Sequence, residues 1–512
     1  MHSGEVSNAP PVEEIGKGGL SRVLIISLFG LGVALLALLV QAYRSYVVPF
    51  EGYGEASMNY LEKEDPRSLS GGDLTHFHSG KLAYEQEAPN LSWGLSAAFD
   101  RGDGVFERTV TPSVPSNWRY DADGLGPHFN NVSCEACHVS DGRAMPPKNR
   151  FEPLSGMFFR ISVPGKGLHG QPMAPHPGIG YQIADRGIEG VPAEADTRIS
   201  WLEMPGSFAD GESFSLRKPI FHILTSANVD IRSDSIIEAR IANPVFGLGL
   251  LEAIPEETIL NWADESDADG DGISGKPNYV WNPEKGENEL GRFGWKANNS
   301  TLRMQTADAA FNDIGLTNLM FRELTSEYHP DFLAYQNCRP EQKECLQAYD
   351  SGKLEMSEAQ MNDVTTYLQF LGVPYRRDVT NPLALKGEAV FHQIGCANCH
   401  KTEVKTAGHK WSRLNNQTIH PYTDLLLHDM GEGLSGRPDF RAEKREWRTA
   451  PLWGIGLTKT VNGHDYFLHD GRARGLQEAI LWHGGEAEAA KQRYMQLEKA
   501  NREALLVFLN SL

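Results

Sequence analysis

The sequence predicts a mainly α-helical protein, with two tandem helical domains that carry long loop insertions and one N-terminal hydrophobic helix before them. Three observations support this prediction. Residues 23–40 form an uncharged apolar stretch, the pentapeptide Cys-x-x-Cys-His occurs twice, and the segments around its two copies share features in the same order. An internal repeat indicates two copies of one structural unit, so each pentapeptide marks one domain.

The length and composition of the chain limit the kinds of molecule that the protein is expected to bind. The chain has 512 residues, with 67 acidic against 48 basic side chains and a formal net charge of −19. Binding to a phosphate backbone requires a concentrated basic surface, so we expect no nucleic-acid partner. Hydrophobic residues at 40% and charged residues at 22% are ordinary for a globular chain, which excludes wholesale disorder.

The apolar stretch predicts export from the cytoplasm. Its eighteen residues nearly span a hydrocarbon core, and Lys17 and Arg22 before it favour an uncleaved transmembrane anchor with a cytoplasmic N-terminus. A cleaved signal peptide ending near Ala42 is the alternative. The corresponding segments are a cytoplasmic tail (1–22), the anchor or signal peptide (23–42) and a linker (43–72). Both interpretations predict a periplasmic protein, and the anchor would tether it to the inner membrane.

The two pentapeptides predict two covalently bound haem c groups. In such a site two thiols add to the vinyl groups of one porphyrin, and the adjacent imidazole binds the iron. A zinc ribbon would need further Cys or His ligands, and a thioredoxin-like pair would need an α/β context. The predicted haem-binding residues are Cys134, Cys137 and His138 in the first motif and Cys396, Cys399 and His400 in the second. The remaining Cys338 and Cys345 predict a local disulfide, with two free thiols as the alternative.

Four repeated features define the two domains. They are a Gly-x-x-x-Phe helix (102–106 and 387–391), the haem motif, a Pro-x-aromatic-Gly-x-Gly-Leu segment (244–250 and 451–457), and a closing amphipathic helix (358–371 and 491–512). We therefore predict two cytochrome-c-like domains, at 73–373 and 381–512. Pro and Gly punctuate the insertion between His138 and Pro244, which predicts ordered loops with short helices there.

With these motifs in place, the chain resembles the di-haem oxidoreductase family, also labelled thiol oxidoreductases. That family in turn resembles bacterial di-haem cytochrome c peroxidases and the di-haem enzyme that matures methylamine dehydrogenase. The stretches that carry the resemblance are 123–127, 243–255, 291–297, 468–473 and 482–486. The resemblance implies a peroxidase-like oxidoreductase in which the C-terminal haem passes electrons to the N-terminal haem. Peroxide or another small oxidant would be reduced there, and a small redox protein would be the electron donor or acceptor.

The axial ligands of the irons decide this chemistry, because a haem with an open position can bind peroxide. In the related peroxidases the distal ligand of the C-terminal haem lies fourteen residues after the His of a His-Asp-Gly motif. Counting from His469 gives His483, with Met430 as the main competitor. No match exists for the N-terminal haem. Its candidate ligands, all in one Gly/Pro-rich loop, are His169, Met173 and His176.

Two further residues are candidates through the resemblance. A Glu in the distal pocket moves the peroxide proton in the related enzymes, and Glu252 follows the 244–250 segment within an apolar run. Burial there could raise its pKa toward the range useful for acid–base catalysis, and a structural Glu is the alternative. Trp295 is a candidate electron relay between the haems, and an ordinary core Trp is the alternative.

An acidic loop predicts a calcium site. It follows the first eight positions of an EF-hand loop, with a turning glycine at position 6. The predicted ligands are Asp267, Asp269, Asp271 and the carbonyl of Ile273. Position 12 holds Asn278 in place of the usual bidentate Glu, so Glu265 or a distant carboxylate would complete the site.

Two other functional classes are compatible with the motifs. One is an electron-transfer cytochrome without substrate turnover, in which both haems have two axial ligands. The other is a redox component of a metal-uptake or maturation complex. The ligand opposite the N-terminal haem distinguishes these classes from a peroxidase.

Overall fold

The computed structural model describes residues 65–112, 124–225, 231–321 and 354–512, all within one compact unit at 58–512. About 31% of the described residues are helical and 20% lie in strands. The prediction of a mainly α fold is therefore wrong. No helix among the described residues is long and apolar enough to cross a bilayer. The predicted anchor at 23–42 and the Cys338–Cys345 disulfide lie outside the described residues.

Ten α-helices occur in the described part of the chain. They are α1 (Trp93–Phe106), α2 (Leu248–Glu252), α3 (Glu256–Leu260), α4 (Leu302–Ile314), α5 (Glu358–Phe370), α6 (Pro382–Gln393), α7 (Thr458–Asn462), α8 (Leu476–Trp482), α9 (Glu488–Gln496) and α10 (Lys499–Ser511). The closing helix of the first half begins with the capping box of Ser357 and Gln360. The closing helix predicted at 491–512 is two helices, α9 and α10, which separate at Leu497.

The strands are mostly short. They are β1 (Thr75–His76), β2 (His128–Phe129), β3 (Met157–Ser162), β4 (Gln182–Ile183), β5 (Arg186–Gly187), β6 (Ala195–Ser207), β7 (Ser213–Thr225), β8 (Ile236–Ile241), β9 (Tyr279–Asn282), β10 (Glu287–Leu290), β11 (Val373–Pro374), β12 (Val404–Lys405), β13 (Thr418–Ile419), β14 (Leu427–Asp429), β15 (Glu446–Arg448), β16 (Tyr466–Phe467) and β17 (Ala473–Arg474).

The insertion after the first haem motif contains most of the β-structure, where loops with short helices were predicted. Strands β6 and β7 form an antiparallel ribbon, and β3 lies between β4 and β8 in a three-stranded sheet. Along β6, Thr197 and Ile199 are buried while Asp196 is exposed. This alternation follows the two-residue period of a strand with one buried face. In this insertion the alternating burial pattern determines the structure more strongly than the Pro and Gly residues from which loops were predicted.

The helical frame repeats in the two halves, as the sequence predicts. Helix α1 packs on α5, and α6 packs on α10. At each crossing the glycine of Gly-x-x-x-Phe meets the backbone of the closing helix. A Cβ at Gly102 would lie 2.1 Å from the Asp363 carbonyl oxygen, and one at Gly387 would lie 2.0 Å from that of Ala504. These glycines are needed for close helix packing.

The two Pro-x-aromatic-Gly segments contact each other reciprocally. A Cβ at Gly247 would lie 2.7 Å from the Trp453 ring, and one at Gly454 would lie 2.5 Å from the Phe246 ring. Both glycines also have positive φ, +71° and +70°, which favours glycine at these positions. The aromatic side chain of each segment therefore occupies the space left by the glycine of the other.

We predict that Gly102→Ala destabilises the protein and that Gly104→Ala, on the same helix, does not. The first substitution forces a methyl group against the Asp363 carbonyl, and overpacking of this kind costs about 1–3 kcal/mol. Gly104 is exposed with open space around its Cα, so alanine there gains about 0.5–1 kcal/mol of helix stability. Urea unfolding of both variants measures the difference. Equal effects would contradict the close packing of α1 on α5.

Candidate functional site

Each Cys-x-x-Cys-His motif forms a single helical turn. The His138 N–H donates to the Cys134 carbonyl at 2.9 Å, and the His400 N–H donates to the Cys396 carbonyl at 3.0 Å. The turn places both thiols and the imidazole of each motif close together. Burial raises the pKa of Cys134 to about 12, and a thiol in that state is a poor redox nucleophile. These cysteines therefore do not resemble a thioredoxin-like pair.

Both motif histidines present the same ring nitrogen to a backbone carbonyl. Nδ1 of His138 lies 2.6 Å from the Asn243 oxygen, and Nδ1 of His400 lies 2.8 Å from the Tyr422 oxygen. Because a carbonyl only accepts, Nδ1 carries the proton in each ring, and Nε2 has a free lone pair for a metal ion. Burial lowers the pKa of both imidazoles to about 4, which also favours the neutral ring that binds iron.

A cavity that we call the N-terminal cavity contains the first motif in its wall. Both halves of the chain supply its apolar lining. The apolar residues include Tyr84, Phe106, Val245, Phe246, Leu251, Phe293, Val364, Leu368 and Trp453. An apolar cavity with two thiols and an imidazole on one side fits a haem.

A second cavity, the C-terminal cavity, contains the second motif in its wall. Its apolar residues include Trp295, Phe391, Ile394, Leu434, Trp447, Phe467, Leu476, Ile480, Leu505 and Leu509. This cavity fits a haem for the same reasons.

The predicted distal ligand His483 lies in the wall of the C-terminal cavity together with His400. Its Nδ1 lies 2.7 Å from the Ala479 carbonyl oxygen, so Nε2 is left with its lone pair, as in the two motif histidines. Burial lowers the pKa of His483. The competitor Met430 lines the same cavity, so both predicted ligands border it. The imidazole of His483 is held with Nε2 available for a metal ion.

The described residues that line the N-terminal cavity include no histidine besides His138 and no methionine. The three loop candidates lie elsewhere. His169 stacks on Trp281 in the wall of a different cavity, and His176 is buried beside Gly180. Met173 lies outside the described lining, and its carbonyl accepts from Tyr181. In contrast to the C-terminal cavity, whose wall contains four histidines, this wall contains one histidine among the described residues.

Glu252, the predicted acid–base residue, lies at the end of α2 and is not among the residues lining the N-terminal cavity. Its carboxylate accepts from the Leu302 N–H at 2.8 Å and from Gln369 at 2.6 Å, and His409 Nε2 lies 3.0 Å away. Although burial opposes it, these hydrogen bonds, with His409 first, lower the pKa of Glu252. Its catalytic role remains a prediction, while its contacts join α2 to the loop at 409–411.

Asp313, on α4, is the one carboxyl group among the described residues that line the N-terminal cavity. Its Oδ1 accepts from Gln182 at 2.7 Å. Burial raises the pKa of Asp313 to about 6, so the group can exchange a proton near neutral pH. The side chain of Gln305 lies on the same helix and lines the same cavity. No sequence motif indicates Asp313, because its position depends on how α4 packs.

Trp295 belongs to a short segment of the chain that contributes residues to the walls of both cavities. Phe293 and Gly294 line the N-terminal cavity, and Trp295 lines the C-terminal cavity. The indole N–H donates to the Ile241 carbonyl at 2.9 Å. The tryptophan is therefore a buried core residue whose two preceding neighbours line the other cavity, so both predicted roles are compatible with its position.

The structure brings together part of the predicted calcium loop. Carboxylate oxygens of Asp264, Asp267 and Asp269 lie within 4.8 Å of one another. Asp271 accepts instead from its neighbour Ile273 N–H at 2.8 Å. The third carboxylate in this cluster, beside the predicted ligands Asp267 and Asp269, belongs to Asp264, three residues before the predicted start of the loop. The sequence signal was present, because Asp264 belongs to the same acidic run.

Asn278, which departs from the motif at position 12, and Glu265, one of the two predicted replacements, are both engaged elsewhere. Asn278 is fully buried and donates to the Lys296 carbonyl at 2.8 Å, while Glu265 accepts from Arg441 at 2.7 Å. Asp271 and Ile273 line the C-terminal cavity. The acidic loop therefore lies beside the second haem motif, although the insertion that contains it belongs to the first half of the chain.

Comparisons with known proteins agree with this geometry. The family described as "Di-haem oxidoreductase, putative peroxidase" matches residues 66–512, which include both cavities. A search of curated proteins finds no match. Because the family match covers most of the sequence, the chain belongs to the di-haem oxidoreductase family.

Proposed function

We propose that this protein is a periplasmic di-haem c-type oxidoreductase that reduces peroxide or a related small oxidant at its N-terminal haem. The observation that carries the proposal is the difference between the two cavities. Among the described residues, His138 is the one histidine that lines the N-terminal cavity, whereas four line the C-terminal cavity: His400, His428, His469 and His483. Carboxylates engage both ring nitrogens of His428, while His400 and His483 each hold Nδ1 against a carbonyl and leave Nε2 available. A haem with two protein ligands transfers electrons, and a haem with an open position binds small oxidants.

The chain's own residues would hold each haem in the same way. The two thiols of each motif would form thioethers, and the motif histidine would bind the iron through Nε2 while Nδ1 stays bonded to a carbonyl. The bound haem supplies one-electron redox chemistry. The apolar walls exclude water, and the carbonyl contacts fix the orientation of His138 and His400.

The proposed electron path runs from the C-terminal to the N-terminal cavity. Two axial histidines suit an electron-transfer site that receives electrons from a small redox protein. Trp295 is the proposed relay on this path, because the segment 293–295 lines both cavities. The electron-carrier alternative would require a second axial ligand at the N-terminal cavity.

Asp313 is the candidate for proton transfer at the N-terminal cavity. Peroxide reduction needs a group that takes a proton from one oxygen and delivers it to the other. Asp313 lies on the cavity wall with its pKa raised by burial to about 6. Glu252, the group predicted from the sequence, has three hydrogen-bonding partners outside this wall.

Calcium is the ion that we propose binds to the acidic loop. Three aspartates, Asp264, Asp267 and Asp269, offer oxygen atoms to one point, and calcium prefers such hard oxygen ligands. The loop also contacts the second half of the chain, because Glu486 accepts from the Ser274 N–H at 3.0 Å. A bound cation would therefore stabilise the loop against the C-terminal cavity.

The haem spin states test the proposed function directly. We predict two haems per chain in a pyridine haemochrome assay, with one high-spin and one low-spin ferric iron in the low-temperature EPR spectrum. His483→Gly should convert the low-spin iron to high spin, because it removes the second ligand in the C-terminal cavity. Met430→Leu is the matched control and should leave the spectrum unchanged. Two low-spin irons in the wild type would support the electron carrier instead.

Proton transfer is tested by comparing Asp313→Asn with Glu252→Gln. We predict that Asp313→Asn lowers the peroxide-dependent oxidation of a reduced donor cytochrome by about 10² to 10⁴ while both haems remain attached. Glu252→Gln should instead mainly lower the free energy of unfolding, by about 1–3 kcal/mol, because it weakens buried hydrogen bonds. If the loss of turnover occurs only in Glu252→Gln, the role belongs to Glu252.

The calcium loop is tested by thermal unfolding with and without chelator. Calcium at a hundred times its dissociation constant should stabilise the wild type by about 2.7 kcal/mol. Asp264→Ala together with Asp269→Ala should abolish this calcium dependence. The control is Glu265→Ala, whose carboxylate pairs with Arg441 and lies outside the cluster. A wild type whose melting temperature is insensitive to chelator would show that the loop is an acidic turn.

A further inference from the structure

The two haem cavities share part of their walls, and each half of the chain contributes one arginine to the shared part. The residues common to both linings are Arg143, Arg448, Ala450, Pro451 and Ile455. Arg143 follows the first haem motif, and Arg448 ends strand β15 in the second half. We call these two side chains the arginine pair.

Arg143 is buried without a carboxylate partner. The residue is 8% exposed, and its Nη1 makes only a long contact of 3.4 Å with the Leu468 carbonyl. Its Nε is buried and has no hydrogen-bond partner among the described residues. The guanidinium instead lies 5.5 Å from the Trp295 ring centre and 5.6 Å from that of Phe467. A buried charge in such surroundings is costly unless an anion accompanies it.

Arg448 is in a similar position. Its Nε donates to the Gly294 carbonyl at 2.9 Å and its Nη1 to the Thr449 carbonyl at 3.2 Å. No described carboxylate lies within ion-pair distance of it. The acidic group with the clearest electrostatic effect on it is Asp424, and that carboxylate is engaged by His428 at 2.9 Å. Burial lowers the pKa of both members of the pair to about 10.

Several other buried arginines among the described residues have carboxylate partners, although Arg217 donates to backbone carbonyls instead. Arg472 contacts Asp470 at 2.7 Å, Arg437 contacts Asp439 at 3.2 Å, and Arg502 contacts Glu212 at 2.6 Å. Two guanidinium groups that line cavities without such partners are sites for anions that enter the cavities.

We propose that Arg143 and Arg448 form one anion site that binds the propionate carboxylates of both haems and couples their reduction. The proposal rests on the proposed function, because it requires a haem in each cavity. A haem brings two carboxylates, and guanidinium groups pair with carboxylates through two parallel hydrogen bonds. Because each arginine lines both cavities, its positive charge acts on both irons and favours the less positive ferrous state of each.

The test uses the purified full-length holoprotein and Arg143→Gln and Arg448→Gln variants, with both midpoint potentials measured by spectroelectrochemistry. Each variant should lower both potentials, by at least a tenfold change in the ferric-to-ferrous equilibrium, about 59 mV for one electron. Both potentials should also become pH-dependent near neutrality, because a propionate without its cation gains a raised pKa. A purely structural role would not produce this new pH dependence.

Two controls distinguish charge from packing. Arg143→Lys and Arg448→Lys keep the positive charge, so their potentials should stay near those of the wild type. Arg217→Gln removes another buried guanidinium, which donates to the Arg472 and Gly471 carbonyls outside the haem cavities, and should leave both potentials unchanged. If the glutamine variants cannot be purified, the lysine variants provide the test. A midpoint potential that shifts in a lysine variant without becoming pH-dependent overturns the proposal.

The outcomes separate this proposal from the proposed function. A shift of only one potential in each glutamine variant, or no shift with both haems attached, overturns the shared anion site. A wild type that carries fewer than two haems in the pyridine haemochrome assay instead overturns the proposed function. Shifts of both potentials with new pH dependence support the arginine pair as positioning residues for both haems.

Discussion

The reciprocal contact between the two Pro-x-aromatic-Gly segments determines how the two halves meet. Phe246 packs against Gly454 and Trp453 packs against Gly247, so each ring has space only because the opposing residue is a glycine. The same segments extend into the haem cavities, where Phe246 and Trp453 both line the N-terminal cavity. The position of the cavities relative to each other, their common wall and the arginine pair all depend on this one packing interaction.

On this repeated frame, the two halves differ in chemistry. Each half builds the same helical turn around its haem motif and holds its motif histidine by Nδ1 against a carbonyl. The second half adds an imidazole, His483, at the end of α8. In the first half the corresponding space is bordered by α4, which contributes Gln305 and Asp313 in place of a metal ligand. A repeated scaffold thus surrounds its two haem motifs with different side chains, and the proposed division between an electron-transfer site and a reactive site follows from that difference.

Local sequence patterns predicted the haem motifs and the repeated helices, but they could not predict contacts between residues that are far apart in the sequence. The haem motifs and the repeated helices follow from spacing, because each depends on residues near in sequence, and His483 was predicted from the family resemblance by its distance from His469. The mainly α prediction was wrong because the insertion was judged by its Pro and Gly residues, while the alternation in β6 was overlooked. Glu252 was placed in an apolar run correctly, but its partners Gln369 and His409 are more than a hundred residues away. The position of Asp313 likewise depends on tertiary packing.

The interlocked rings also constrain how such a chain can change over generations. A larger side chain at Gly247 would collide with Trp453, so it could persist only with a smaller residue at that position. The same dependence links Gly454 with Phe246. The two segments are nevertheless about two hundred residues apart, and each also forms part of a haem cavity. Substitutions at these positions in one half are therefore expected to occur together with compensating substitutions in the other half. The rest of each repeat can diverge in chemistry while these two contacts change together.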